Sequence, residues 1–124
     1  MARKPSPTLT DAETRLMNVL WDKGEATVAD VVAALPKRPA VAYNTVQTIL
    51  NILEAKGYVT HSRTGRAFIY RPRIERKAAQ RKAVVHLLSS LFAGSRSDLV
   101  LNVLDDEKLH PDEVRRLKRL IEDA

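Results

Sequence analysis

Four side chains near the middle of this chain are suited to reading a surface rather than reacting with one. Asn44, Gln47, Thr48 and Asn51 fall on one side of a helix at about 100° per residue, while Val46, Ile49, Leu50 and Leu53 take the i, i+3, i+4, i+7 positions of a buried face. Amides and hydroxyls donate and accept hydrogen bonds without titrating near neutral pH. A row of them, where a merely solvated helix carries Lys and Glu, matches the edges of base pairs in a DNA major groove, and an amide can contact adenine bidentately. Asn44, Gln47, Thr48 and Asn51 are therefore the candidate base-reading residues, with Thr48 also suited to a thymine methyl or a phosphate.

Cations flank this row. Lys37 and Arg38 precede it; Arg63 and Arg66 follow. Between Lys37 and Arg73 there are seven Lys or Arg and one acid, Glu54, a net of +6 that equals the net charge of the whole chain. The excess falls where a phosphate backbone would lie. Lys37, Arg38, Tyr43, Thr45, Arg63 and Arg66 are the candidate backbone contacts. Tyr43 either touches phosphate or packs against the first helix, and Thr45 contacts DNA or simply caps or packs.

The elements that must hold these residues are legible nearby. The candidate reading helix runs from Ala42 to Lys56 and stops at Gly57. Two short strands follow, Tyr58 to Arg63 and Ala67 to Arg71, rich in the β-branched and aromatic residues that suit strands and joined by Thr64-Gly65-Arg66. Upstream, Thr10 and Glu13 have capping-box spacing, and Leu16, Met17, Val19, Leu20 and Trp21 form a first apolar stripe that ends at Lys23-Gly24. Thr27 and Asp30 repeat the cap for a second helix, with Val28, Val31, Val32 and Leu35 on its buried side. Two short helices, a longer one and a hairpin make a winged helix-turn-helix, which places its reading helix in the major groove. Trp21 is expected in the core, holding the first helix on the hairpin.

Past Pro72 the composition changes. Nine bases and eight acids from Lys77 to Ala124 leave that half nearly neutral. Ala78, Val84, Val85, Leu87, Leu88, Leu91 and Phe92 predict a long amphipathic helix ending near Gly94. A short helix follows over Ser97 to Leu104. A last one opens at His110-Pro111 with Val114, Leu117, Leu120 and Ile121 as its stripe. These helices have more apolar surface than they can bury alone, and such patches mark interfaces. Val84, Leu87, Leu88, Leu91, Leu99, Leu117, Leu120 and Ile121 are the dimerisation candidates. The expected division is a winged helix-turn-helix over residues 1–73 and a helical dimerisation region over 74–124, mainly α with a small β-wing.

Several function classes are excluded. No catalytic pair or glycine-rich phosphate loop is present, so an enzyme is not expected. The chain has no cysteine, which removes disulfides and thiolate metal sites. His61, His86 and His110 lack ligand spacing, so no metal or other cofactor is expected. No apolar run approaches the ~18 residues of a membrane span, and Met1 to Pro7, expected to be disordered, lacks the apolar stretch of a secretory signal. The expected location is the cytoplasm, without membrane insertion.

With these residues on the page, the chain resembles the penicillinase-repressor family, the BlaI/MecI/CopY type of regulator, from Leu9 to Ile121. The resemblance rests on Glu13 through Met17 with Leu20-Trp21, on Thr45-Val46-Gln47-Thr48 with Leu50, Leu53, Lys56 and Gly57, and on Gly65-Arg66-Ala67-Phe68-Ile69-Tyr70 with Pro72. It implies a homodimeric repressor of a palindromic double-stranded operator, dimerised through the C-terminal helices. It also implies, in some members, a membrane sensor-protease that triggers cleavage, here after Asn102 and before Val103. The chain departs from the pattern in three places. Ile52 stands where Arg is frequent, Val103 where Phe is frequent after the cut, and the C-terminal cysteines of the copper-responsive branch are missing. The alternatives to a proteolytically relieved repressor are a winged-helix protein-interaction module and a repressor that responds to a small molecule.

Overall fold

The computed structural model describes residues 8–105 and 110–122. In order, the elements are α1 (Asp11–Lys23), β1 (Ala26–Thr27), α2 (Val28–Ala34), α3 (Tyr43–Ala55), β2 (Val59–Thr64), β3 (Ala67–Pro72), α4 (Arg76–Leu91), α5 (Arg96–Leu104) and α6 (Pro111–Glu122). They form two compact units, one reaching through Ala83 and the other starting at Val84, so the division falls inside α4.

Local chemistry starts the first two helices. Both capping boxes form: the Thr10 hydroxyl accepts from the Glu13 N–H while Glu13 accepts from the Thr10 N–H, and Thr27 and Asp30 repeat the exchange. Gly24, at φ 83°, ends α1 in a conformation that L side chains rarely adopt. The two residues left between Gly24-Glu25 and α2 are drawn out straight beside the hairpin. Ala26 pairs with Tyr70 and Thr27 with Ile69, giving an antiparallel sheet in the order β1-β3-β2. This third strand is absent from the expected hairpin, because a two-residue strand has no period to read and its partner lies far along the chain.

The core of the first unit is one cluster. Leu16, Met17 and Leu20 from α1, Val28 and Val31 from α2, Val46, Leu50 and Leu53 from α3, and Tyr58, Val59 and Tyr70 from the hairpin meet in it. Each large side chain so buried contributes about 1.5–3 kcal/mol. Leu35 is buried as the cap of α2 rather than as part of its helix. Trp21 is half-buried and packs against the core cluster to which the hairpin contributes Tyr58, Val59 and Tyr70. Its indole N–H donates to the Ile74 carbonyl at 2.9 Å, and the Arg76 guanidinium lies 5.3 Å from its ring while pairing with Asp22. The segment it anchors is the entry to α4.

The expected amphipathicity of α4 is not observed. Its first half is polar apart from alanines and seals the first unit with Ala79, whereas Val84, Leu87, Leu88 and Leu91 belong to the second unit. No single apolar stripe therefore runs the length of the helix. In the second unit Leu88 is buried, Leu87, Leu99 and Leu117 are half-buried, and Val84, Leu91, Leu101 and Val103 are exposed, Leu91 most of all at 76%. Ser95 caps α5 by accepting from the Asp98 N–H, which starts that helix one residue earlier than expected. The side chains of Leu120 and Ile121, and the expected disordered stretch Met1–Pro7, lie outside the described residues.

A buried ion pair joins α1 to the end of α3. Lys56 Nζ is 2.7 Å from Glu13 Oε1, each side chain is about 4% exposed, and Lys56 also donates to the Thr8 carbonyl. Burial alone would raise the Glu13 pKa, but hydrogen bonds from Lys56 and Thr10, with the Lys56 charge, outweigh it and hold the carboxyl below its ordinary value. A carboxyl whose folded pKa is depressed stabilises the fold above its unfolded pKa, and that contribution is lost as pH falls through the folded value. Lys56→Met should therefore lower the unfolding free energy at pH 7 by about 3–5 kcal/mol, the cost of stranding a buried charge. Urea unfolding should show the gap between variant and wild type narrowing as the pH drops below the ordinary glutamate range.

Candidate nucleic-acid interface

Burying Val46, Leu50 and Leu53 turns the polar row of α3 outward. Asn44, Thr48 and Asn51 are exposed, as are Tyr43 and Thr45, and Gln47 is half-buried. The row is partly organised by hydrogen bonds within the protein. The Thr48 hydroxyl donates to the Asn44 carbonyl at 2.9 Å. The Gln47 amide nitrogen donates to the Tyr70 hydroxyl at 2.8 Å and to Asn51 Oδ1 at 3.2 Å. Among the described residues nothing hydrogen-bonds the Asn44 side chain.

The wing stands beside this row. Thr64 pairs with Ala67 and Arg63 with Phe68 around Gly65, whose φ of 61° makes the tight turn. Tyr43 and Gln47 of α3, Arg66 and Phe68 of the wing, and Ala29 of α2 line an open groove of about 420 Å³. Tyr43 is 54% exposed in that groove, so its ring faces the wing and does not pack on α1. Arg63 donates from Nε to the Gly65 carbonyl and lies 5.9 Å from the Phe68 ring, keeping its charge at the tip.

A contact not expected from sequence ties wing to helix. His61 Nδ1 is 2.5 Å from Glu54 Oε2 in the last turns of α3, and its ring meets Phe68 edge-on at 5.2 Å and Tyr70 at 5.4 Å. The one acid of the basic segment is thus directed at its histidine. The only sequence signal was that Glu54 stands alone among cations.

The structure also sorts those cations. Lys56 is committed to Glu13, and Arg71 to Glu25 at 2.7 Å and Ser62 at 2.9 Å. Lys37, Arg38, Arg63, Arg66 and Arg73 are exposed and, among the described residues, hold no ion pair. Lys37 and Arg38 lie in the link before α3, and Arg63 and Arg66 flank the wing tip, where Arg66 lines the same groove as Tyr43 and Gln47 of the polar row. Among the described residues no group of three or more His, Cys, Asp or Glu is placed to hold a metal ion.

Comparison with known proteins agrees with this geometry. A family model described as penicillinase repressor matches residues 9–123. The penicillinase repressor of Bacillus licheniformis is 29% identical over 97% of this chain and 94% of its own length. The methicillin resistance regulatory protein MecI of Staphylococcus aureus strain N315 is 23% identical over 91% of this chain and 92% of its own. Among solved structures, the DNA-binding domain of the repressor BlaI superposes with a TM-score of 0.52 at 33% identity, covering 61% of this chain and 93% of that one.

Because Asn44 and Arg66 are exposed and, among the described residues, have no side-chain hydrogen bond or ion pair, Asn44→Ala and Arg66→Ala should each leave the unfolding free energy within about 0.5 kcal/mol of wild type. Thermal and urea unfolding of the two variants check this.

Proposed function

The chain belongs to the penicillinase-repressor family, and from that premise we propose a DNA-binding transcriptional repressor, not an enzyme, that acts as a homodimer on an inverted-repeat operator. The observation that carries this reading is the pairing of an outward amide and hydroxyl row on α3 with exposed cations, in the link before it and on the wing beside it, that hold no ion pair among the described residues. Phosphate contacts fix register and base contacts carry sequence. Lys37, Arg38, Arg63 and Arg66, with Tyr43 and Thr45, take the first task; Asn44, Gln47, Thr48 and Asn51 take the second. α2 crosses the backbone and α3 enters the major groove N-terminal end first.

The homodimer rests on the second unit, where Val84, Leu91, Leu101 and Val103 leave apolar surface exposed. A two-fold dimer covers such a patch with its own copy and makes the operator palindromic. The expected cleavage point, the Asn102–Val103 bond, lies within α5, a helix with no fully buried residue. Opening that turn to fit a protease is therefore cheap, and this suits a membrane sensor-protease as the partner that relieves repression. The repressor itself works in the cytoplasm, on DNA; among the described residues no helix is long and apolar enough to cross a membrane.

Selection of bound sequences from a random duplex pool at near-physiological salt tests the reading. It should recover an inverted repeat with half-sites one or more helical turns apart; recovery of no motif would reject sequence-specific recognition. On the selected operator, Asn44→Ala should cost about 1–3 kcal/mol and blur the preference at one position. Arg66→Ala should instead weaken all sequences alike and reduce the salt slope by about one. Unchanged operator affinity in Asn44→Ala would mean that α3 enters the groove in another orientation.

A further inference from the structure

We propose that Tyr70, a core residue of the wing, is the positioning residue that sets how Gln47 presents its amide to a base pair. The proposal rests on the base-reading role of Gln47 above. Tyr70 is 2% exposed and lies in the central strand β3, paired with Ala26 on one side and His61 on the other. The His61 ring lies 5.4 Å from its own, and His61 is in turn tethered to Glu54 of α3. A phenol held on several sides cannot follow its partner. Its hydroxyl is therefore a fixed point, 2.8 Å from Gln47 Nε2.

A primary amide has two N–H groups and one carbonyl. In Gln47 one N–H goes to Tyr70 and the other to Asn51 Oδ1. That leaves Oε1 as the group free to meet a base edge, while Asn51 keeps its two N–H groups. Gln47 then cannot act as the independent bidentate adenine reader that its type suggests. Together they form a composite, an acceptor on Gln47 beside donors on Asn51. In the major groove an acceptor suits the exocyclic amine of cytosine or adenine, and donors suit N7, guanine O6 or thymine O4. An amide free to turn over about its last torsion would offer either polarity and discriminate less. Tyr70 anchors the amide without approaching DNA, and together with Asn51 Oδ1, which can only accept, it keeps both Gln47 N–H groups turned inward.

Tyr70→Phe keeps the ring and deletes the fixed point. The test measures full-length wild type, Tyr70→Phe, Gln47→Ala and the double variant on the selected operator, on its single-position substitutions and on random duplex at one salt concentration, with thermal unfolding alongside. Tyr70→Phe should lose about 5- to 30-fold on the operator and stay within about 2-fold on random duplex. Its discrimination should narrow at the same base pair as in Gln47→Ala, and the double variant should bind no worse than Gln47→Ala alone. Wild-type base preference in Tyr70→Phe would overturn the proposal, as would an equal fall on operator and random duplex. Loss of cooperative unfolding would also overturn it, placing Tyr70 in stability alone. If Gln47→Ala itself left every base preference intact, the base-reading assignment of Gln47 would fail first, an outcome distinct from a silent Tyr70→Phe beside an affected Gln47→Ala.

Discussion

Glu13 completes two structures with one carboxylate. Its Oε1 accepts the Thr10 N–H at 2.8 Å, which starts α1, and receives Lys56 Nζ at 2.7 Å, which closes the end of α3. With both side chains about 4% exposed, the pair is satisfied in one relative placement of the two helices. The apolar stripe of α3 then fixes its rotation. A slip of one residue, about 100°, would carry amide groups into the core, where an unpartnered polar group costs roughly 1–3 kcal/mol. The outward row of Asn44, Gln47, Thr48 and Asn51 thus follows from what α3 must bury and from where Lys56 must go.

How much of this could be read beforehand depended on the range of the interaction. The caps at Thr10 and Thr27 were legible because a capping box is complete within four residues. The hairpin around Gly65 and the two faces of α3 were legible for the same reason. The strand Ala26–Thr27 was not, since its only cause is pairing with Ile69 and Tyr70 after the chain has folded. For α4, a list of apolar residues suggested one amphipathic stripe, yet the helix divides between two units and no single stripe runs its length. The reading row was visible as a set of residue types; that the wing already holds Gln47 was not, because the bond to Tyr70 spans 23 positions.

Charge shows the same gap between composition and structure. The count between Lys37 and Arg73 treats every cation as available to phosphate. Lys56 and Arg71 are instead spent on Glu13 and Glu25, holding α1 to α3 and the start of the sheet to β3. The remaining positive charge is smaller but better placed, at the link before α3 and at the wing tip after it. Arg66 of the wing lines the same groove as Tyr43, so part of that charge lies beside the first turns of α3 rather than along its length.

The wing and α3 therefore act as one body. The Glu54–His61 pair joins them near the end of the helix, with about a third of each side chain exposed, while the Gln47–Tyr70 bond joins them near its middle against a buried ring. The exposed pair contributes little to stability by itself, and the weight of the junction falls on the buried phenol and the packing around it. An arginine of the wing that settles on a phosphate consequently fixes the helix as well as itself. On the proposed assignment, affinity carried by the backbone contacts would be converted into orientation of the amide row, and orientation would let a short polar face tell one base pair from another.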